Sequence, residues 1–384
     1  MSDPVPAVQP QAITSTVERL RKVPLQHAEL LAPIQTVFVS GCTGYIASAI
    51  VERLLRRGHT VHATCRDPSK LDALQPLLAL PGAAERLKLF KADLSVSGSF
   101  DAAMEGCSVA FHVAAPVHLN RIPPGEERRV MIDPMLAGVD NVLGAANRTP
   151  TVRRVVMTSS ISALNTSAGD KPGGKFDEND WNHTASETNV PYAYGKRLSE
   201  QRAWELAKAQ SRWTLVTVLP SVVFGPTAGV CPNSESVQAI TELLWPGLMW
   251  PAAGAMGVPV VDARDVAVIH TLAAFTPKAH GRYIAHAEGT SMRAVTYMVA
   301  RRFPANVWPS HLTAPYWLVW AVAPLLKLRR DVVRAMWGPP PQYDTSRTES
   351  DLAPPPWLPL EATMIDMILD CADKGMIKLK QKMP

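Results

Sequence analysis

Cysteine is scarce in this chain of 384 residues, and the few that occur are too scattered to build a site. The five are Cys42, Cys65, Cys107, Cys231 and Cys371. They include no Cys-x-x-Cys pair and no Cys/His spacing of the kind that binds zinc. An odd and scattered set is typical of buried thiols in a reducing compartment. We therefore expect a cytoplasmic protein without a metal site.

Blocks of like charge and a secretory signal are also missing. The net charge is only +5, and no cluster of basic residues suggests a nucleic-acid partner. The first eleven residues contain proline and polar residues but no apolar core of a signal peptide. Residues 1–34 are expected to form a partly flexible N-terminal extension with a helical pattern over Thr14–Leu31, interrupted at Pro24.

Long apolar runs are absent except for Ala314–Leu326, which two prolines interrupt. It is shorter than the ~20 residues that a spanning helix needs. We expect this segment to fold onto the protein, with Trp317 and Trp320 on one buried face. A helix lying on a membrane surface, flanked by the basic residues Lys327–Arg330, is the less favoured alternative.

The segment Thr36–Lys70 predicts a strand, a glycine turn, a helix and a second strand. Gly41 suits the tight turn because glycine adopts positive φ, and Gly44 allows a helix N-terminus to approach a pyrophosphate. Ala47 stands at the small-residue position that brings helix and strand close together. In this context the spacing predicts a dinucleotide-binding βαβ unit.

The tip of the second strand predicts which dinucleotide binds. Arg66 stands where NAD-binding units usually have an acid, and Lys70 follows closely. A guanidinium matches a 2′-phosphate, so we expect NADP(H) as the cofactor. Asp67 is the alternative, because a slip of one residue would place its carboxylate at the ribose.

A second pattern predicts proton transfer. Tyr192 and Lys196 are four residues apart and share a helix face, and the predicted strand Arg154–Ser159 precedes Ser160. A nearby ammonium group favours the phenolate and brings the pKa of the phenol toward a useful range. Tyr194 is a rival only if the motif slips, since no lysine stands four residues after it.

With these motifs in order, the chain resembles the extended short-chain dehydrogenases/reductases of the NAD-dependent epimerase/dehydratase superfamily. The similar segments are SGCTGYIA, CRDPSK, KADL, FHVAAP, MTSSISALN, YAYGK and LPSVVFGP. Within the superfamily they resemble the dihydroflavonol-4-reductase-like branch. Ile161 and Ser162 replace the acidic pair of the nucleotide-sugar dehydratases, which favours carbonyl reduction over dehydration.

The resemblance implies roles for particular residues. The catalytic set is Ser160, Tyr192 and Lys196, and Asn165 stands where flavonoid reductases have a substrate-recognising asparagine. The implied cofactor-binding residues are Gly41, Thr43, Gly44, Tyr45, Ile46, Arg66, Lys70, Asp93, Leu94, Ala114, Ala115, Tyr192, Lys196, Pro220, Val222 and Val223.

The alternation of strands and helices predicts an α/β fold, a Rossmann doubly wound parallel sheet with a smaller C-terminal substrate-binding region. We expect an NADP-binding Rossmann domain over 35–226 and a mainly substrate-binding region over 227–384, from which later strands return to the sheet. The predicted strands are Thr36–Ser40, Val61–Cys65, Leu87–Lys91, Val109–Val113, Arg154–Ser159, Thr214–Leu219, Val258–Asp262 and Arg282–Ala285.

Within the C-terminal region, Trp245, Met249, Trp250 and Met256 are expected to line an apolar substrate cavity or to pack in the core. Asp262 and Asp265 are expected to cap a helix and to make a structural hydrogen bond. The pattern Leu360–Ile377 predicts a helix on the surface.

These features together predict an NADPH-dependent reductase of a ketone or aldehyde, acting on a small carbonyl or alcohol compound as a monomer or homodimer. One alternative is a membrane-associated 3β-hydroxysteroid or sterol dehydrogenase. Another is an NADP-binding regulator without catalysis, which the intact Ser160, Tyr192 and Lys196 disfavour.

Overall fold

The computed structural model describes residues 10–116, 122–123, 125–245, 250–326 and 328–380. The strands are β1 (Thr36–Val39), β2 (Thr60–Cys65), β3 (Leu87–Lys91), β4 (Val109–His112), β5 (Arg154–Thr158), β6 (Lys175–Phe176), β7 (Thr214–Pro220), β8 (Val222–Phe224), β9 (Ala252–Gly254), β10 (Gly257–Asp262), β11 (Gly281–Ala285), β12 (Glu288–Ser291), β13 (Leu312–Ala314) and β14 (Gln342–Tyr343). The helices are α1 (Pro10–Leu20), α2 (His27–Leu31), α3 (Tyr45–Arg57), α4 (Leu71–Leu78), α5 (Ala83–Arg86), α6 (Asp101–Met104), α7 (Asp133–Arg148), α8 (Pro191–Lys208), α9 (Glu235–Leu243), α10 (Ala263–Phe275), α11 (Met292–Arg302), α12 (Tyr316–Val322), α13 (Arg330–Met336), α14 (Ser346–Leu352) and α15 (Leu360–Asp373).

Seven strands form the central sheet in the order β11-β7-β5-β4-β1-β2-β3, and all of them run parallel. The strand order reverses at β1, which pairs with β2 on one side and β4 on the other. The predicted Rossmann doubly wound α/β fold is therefore confirmed. In such a sheet ligands bind beyond the carboxyl ends of the strands at the reversal point.

Both faces of the sheet are covered, which explains why its strands are apolar throughout rather than alternating. In β1, Val37 and Val39 pack into a core with α3 and α10, whereas Phe38 packs into the opposite core with α6 and α7. All three side chains are fully buried.

The predicted later strands differ in where they pair. Gly281–Ala285 returns to the central sheet beside β7, as expected. Gly257–Asp262 instead pairs with β8 and β12 in a separate sheet of three strands. The chain leaves the central sheet after Ser221, and β8 then supplies the edge that β10 joins.

The N-terminal segment contains the two helices α1 and α2 rather than one interrupted helix. Residues 1–9, which belong to the predicted flexible extension, lie outside the described residues. α1 buries Ile13 and Val17, and its Thr16 hydroxyl donates to an oxygen of Asp370 in α15 at 2.5 Å. The N-terminal extension is thus joined to the C-terminal helix.

The prediction that the last helix lies on the surface is wrong. α15 buries Met364, Met367 and Ile368 at 1% exposure or less. The helix packs between α1 on one side and β8 and β10 on the other, and this position depends on contacts between distant parts of the chain.

The predicted burial of Trp317 and Trp320 is also wrong. Their exposed fractions are 68% and 41%. α12 turns Val319 inward instead, and Ala323, four residues on, continues that inward stripe against Val333. At 3.6 residues per turn the two tryptophans then fall on the outer side. Among the described residues, no helix is long and apolar enough to cross a membrane.

Candidate active site

A cleft of about 1020 Å³ opens at the carboxyl ends of the central strands. It begins at the turn between β1 and α3, passes the end of β2, and continues to the end of β5 and the start of α8. A cavity of this size can hold a dinucleotide and a small substrate together.

The glycine turn forms one wall of the cleft. Gly41 has φ +67°, and a Cβ there would lie 2.7 Å from the Cβ of Ala114, so no larger residue fits. Gly44 stands just before α3, and the first intrahelical bond of the helix runs from the Ser48 N–H to the Gly44 carbonyl at 3.0 Å. The earlier N–H groups have no intrahelical partner, and together with the helix dipole they favour an anion in the cleft.

The tip of β2 presents cations to the cleft. Arg66 and Lys70 are exposed and line its rim. The carboxylate of Asp67 accepts from the Ser69 hydroxyl at 2.6 Å and from the Ser69 N–H at 3.1 Å. These bonds lower the pKa of Asp67 and hold the carboxylate in its own turn.

Ser160 and Tyr192 lie together farther along the cleft. Ser160 caps the short 3₁₀ turn Ile161–Ala163 by accepting from the Ser162 N–H at 3.1 Å. Tyr192 is in the first turn of α8, after Val190, whose φ of +49° is unusual for a β-branched residue. Burial raises the pKa of Tyr192 to about 12, although a hydrogen bond with Ser160 acts in the opposite direction. Without a ligand the phenol is thus a proton donor rather than a base.

Lys196 lies behind Tyr192, one turn along α8. Its Nζ is 5.9 Å from the centre of the Tyr192 ring and 3.4 Å from the carbonyl oxygen of Thr158. Burial lowers the pKa of Lys196 to about 8, and the charge of Glu200 opposes that shift. The ammonium group is therefore charged at neutral pH and can lose its proton in a mildly alkaline solution.

Glu200 is a neighbour of this set that was not among the predicted site residues. Its buried carboxylate accepts from Ser159 at 2.6 Å, from Thr217 at 2.8 Å and from Arg282 at 2.8 Å. Burial alone would raise the pKa of Glu200, but Arg282 and the hydroxyl donors lower it overall. Glu200 stands four residues after Lys196, a spacing that could have indicated an ion pair on one helix face.

Asn165 lines the cleft, but part of its amide is already bonded. Its Oδ1 accepts from the hydroxyl of Tyr343 at 3.0 Å, and its Nδ2 donates to the carbonyl of Ser167 at 3.2 Å. Tyr343 belongs to β14, which pairs with β6 from a distant part of the chain. No local signal in the sequence links Tyr343 to Asn165.

Most of the predicted cofactor residues line this cleft, and some do not. Those that line it are Gly41, Thr43, Gly44, Tyr45, Ile46, Arg66, Lys70, Ala114, Ala115, Tyr192, Val222 and Val223. Those outside its lining are Asp93, Leu94, Lys196 and Pro220. Asp93 accepts from Ser95 in a tight turn, and Leu94 packs against Gly138 in α7.

The substrate end of the cleft is built differently from the prediction. Trp245 and Trp250 are 67% and 49% exposed, so they neither line the cleft nor pack in the core. Met256 forms a β-bridge to Trp337, and Met249 lies outside the described residues. The wall consists instead of the segment Cys231–Ser236, which ends in the first residues of α9, and of one side of α13, where Val332, Ala335 and Met336 line the cleft.

The predictions for Asp262 and Asp265 are confirmed. Asp262 precedes α10, and its carboxylate accepts from the Arg264 N–H at 2.8 Å. Asp265 accepts from the Leu358 N–H at 2.9 Å. Burial and the neighbouring Asp262 raise the pKa of Asp265 to about 7.

The cysteines are free thiols, and four of them are buried as predicted. Cys231 is the exception, since it is partly exposed in the wall of the cleft and its Sγ lies 3.1 Å from the carbonyl of Thr43. Among the described residues, no three His, Cys, Asp or Glu side chains are grouped to hold a metal ion.

Residues 37–284 match the NAD dependent epimerase/dehydratase family, about two thirds of the chain. The chain belongs to this family. It is 33% identical over 275 residues to a dihydroflavonol 4-reductase of Hordeum vulgare, which covers 70% of this chain and 75% of that relative. It is 38% identical over 250 residues to the cinnamoyl-CoA reductase CAD2 of Medicago truncatula, with 64% and 74% covered.

Solved structures agree on the fold of this epimerase/dehydratase family member. Yeast methylglyoxal/isovaleraldehyde reductase Gre2, solved with NADPH, superposes with a TM-score of 0.72 over 89% of this chain and 100% of that one, at 22% identity. The predicted superfamily is confirmed, and so is the predicted class of enzyme, an NAD(P)-dependent oxidoreductase.

Proposed function

We propose that this protein is an NADPH-dependent reductase of a ketone or aldehyde. The observation that carries the proposal is the pairing of Ser160 with Tyr192 on the wall of a cleft whose other end is the glycine turn. Lys196 stands directly behind the phenol. The relatives named dihydroflavonol 4-reductase and cinnamoyl-CoA reductase support the same class of reaction.

The residues of the cleft fit a dinucleotide. The N–H groups at the start of α3 would hold a pyrophosphate, because no side chain stands at Gly41 or Gly44 to keep it from the backbone. Arg66 and Lys70 would bind a 2′-phosphate, since the carboxylate of Asp67 is held by Ser69. When bound, the reduced nicotinamide supplies the hydride.

Residues of the chain would then polarise and protonate the carbonyl oxygen of the substrate. The Ser160 hydroxyl would hydrogen-bond this oxygen and polarise the C=O bond, and the phenol of Tyr192 would give it a proton. The charge of Lys196 stabilises the phenolate that remains, because it lies 5.9 Å from the ring. Lys196 would also hold the nicotinamide ribose.

The substrate would lie between Asn165, the segment Cys231–Ser236 and the inner side of α13. Asn165 keeps one amide hydrogen beyond its bond to Ser167, and we assign that hydrogen to an oxygen of the substrate. The nearby Val332, Ala335 and Met336 favour an apolar compound with few polar groups.

A panel of ketones, aldehydes and hydroxysteroids, assayed by the absorbance of NADPH, tests the proposal. We expect turnover of at least one carbonyl compound with NADPH. A hydroxysteroid dehydrogenase is the second candidate, favoured by the exposed tryptophans of the C-terminal region. It predicts oxidation of hydroxysteroids with NADP⁺ and no reduction of the simple carbonyl compounds. Binding of NADPH without turnover of any compound would indicate the non-catalytic regulator instead.

A further inference from the structure

The C-terminal region exposes an unusual amount of apolar surface. Of the eighteen large hydrophobic side chains that are exposed among the described residues, eleven lie in the segments 243–261 and 289–330. They include Trp245, Trp250, Trp308, Trp317 and Trp320. We call the exposed surface of the described residues in these two segments, 243–245, 250–261, 289–326 and 328–330, the tryptophan face.

The two segments are brought together by strand pairing. β9 pairs in parallel with β13, and the rings of Trp250 and Trp308 meet edge to face with centroids 5.8 Å apart. α12 follows β13 directly, and Val319 lies against Gly254 of β9. The segments that carry Trp250, Trp308 and Trp317 are therefore neighbours in the fold.

The charged side chains of the tryptophan face are all basic. Neither 243–261 nor 289–330 contains an aspartate or glutamate, although the whole chain has 34 acidic residues. Arg293, Arg301, Arg302 and Arg330 are exposed there. The guanidinium of Arg330 lies 4.0 Å from the centre of the Trp320 ring, which places a cation and an aromatic side by side.

We propose that the tryptophan face lies on the surface of an anionic lipid bilayer. Tryptophan prefers the headgroup level of a membrane, and exposed arginines attract anionic headgroups. The contact is interfacial, since α12 has only seven residues. A two-fold dimer fits the face poorly, because it would set arginines against arginines with no carboxylate opposite.

The proposed contact also bears on substrate access, a point that rests on the proposed function. α13 packs against α12 and turns Val332, Ala335 and Met336 into the cleft. The cleft wall is thus one helix away from the tryptophan face. The substrate class that fits this placement is an apolar carbonyl compound that partitions into lipid.

Flotation of the full chain with lipid vesicles tests the membrane contact without any assay of activity. A negative flotation result would therefore overturn the membrane contact and leave the proposed function unaffected. The vesicles are phosphatidylcholine with phosphatidylserine, and phosphatidylcholine alone. We expect the intact chain to float with the mixed vesicles and more weakly with phosphatidylcholine alone. The double change Trp317→Ser and Trp320→Ser should lower the bound fraction at least about tenfold.

The matched control is the double change Leu30→Ser and Leu31→Ser, which alters two exposed leucines on α2 and should leave flotation unchanged. Circular dichroism checks that each variant is folded. The proposal is overturned if the intact chain stays out of the lipid fraction, or if the tryptophan variant floats equally well. It is also overturned if sedimentation finds a lipid-free dimer that the tryptophan variant breaks, because a second copy would then cover the face.

Discussion

The hydroxyl of Tyr343 donates a hydrogen bond of 3.0 Å to the side-chain oxygen of Asn165, although the two residues are 178 positions apart. Tyr343 is nearly buried, and its ring packs near those of Phe176 and His286. The bond orients the amide, whose nitrogen keeps one hydrogen beyond its bond to Ser167. Under the proposed function, that hydrogen would be donated to an acceptor oxygen of the substrate.

Tyr343→Phe should weaken substrate binding without changing the binding of NADPH. The change removes one hydrogen bond, worth about 0.5–1.5 kcal/mol, so we expect KM to rise about two- to twelvefold. Steady-state kinetics and a fluorescence titration of NADPH measure the two effects. The control is Tyr283→Phe, which removes a hydroxyl bonded to Asp351 away from the cleft. An unchanged KM in Tyr343→Phe would contradict the proposal that this hydrogen bond orients Asn165 toward the substrate.

Arg66→Ala should remove the preference for NADPH over NADH. A charge-assisted contact with the 2′-phosphate is worth about 1.5–3 kcal/mol, which corresponds to a loss of about 10- to 150-fold in NADPH affinity. The affinity for NADH should stay nearly constant. Lys88→Ala is the matched control, because Lys88 is an exposed cation on β3 outside the cleft. If the intact protein binds NADH as tightly as NADPH, the assignment of Arg66 is wrong.

The rate of reduction should depend on the protonation of Lys196. Burial lowers the pKa of this group to about 8, so its charge is present below that pH and is lost above it. We expect kcat/KM for reduction to fall as the pH rises from about 7 to about 9. A pH profile with substrate below KM measures this, and a flat profile over that range would contradict the role of Lys196.

Asp265→Asn should stabilise the fold in mildly alkaline solution. The pKa of Asp265 is raised to about 7 in the folded protein, so the folded state holds its proton more tightly than the unfolded state. That contribution to stability is complete below the unfolded pKa and is lost as the pH rises through about 7. Asparagine stays neutral and can still accept from the Leu358 N–H.

The free energy of unfolding should therefore rise by up to about 4 kcal/mol at alkaline pH in the Asp265→Asn variant, with little change at acid pH. Urea unfolding at the two pH values measures the difference. An equal change in the free energy of unfolding at acid and alkaline pH would mean that folding does not raise the pKa of Asp265.

The parts of the molecule that local sequence determines were predictable. The apolar runs Val37–Val39 and Val155–Met157 form strands because both faces of the sheet are covered. Gly41 and Gly44 mark the turn because backbone sterics permit few other residues there.

The remaining features depend on contacts between distant segments, which a single sequence does not reveal. The pairing of β14 with β6 brings Tyr343 to Asn165. The packing of α1 on α15 buries a helix that its sequence pattern predicts to lie on the surface. The side chain of Trp317 is exposed because Val319, rather than Trp317, is the buried residue of α12. An apolar run alone does not say which of its residues face the core.

The most direct test of the proposed reaction is the turnover of Tyr192→Phe together with its affinity for NADPH. The change removes only the hydroxyl that would give its proton to the carbonyl oxygen, so we expect turnover to fall by at least about 100-fold while NADPH binding stays nearly the same. Tyr194→Phe, two residues along α8, should keep normal turnover. Near-normal turnover in Tyr192→Phe would contradict the proposed role of Tyr192 and would mean that another group donates the proton.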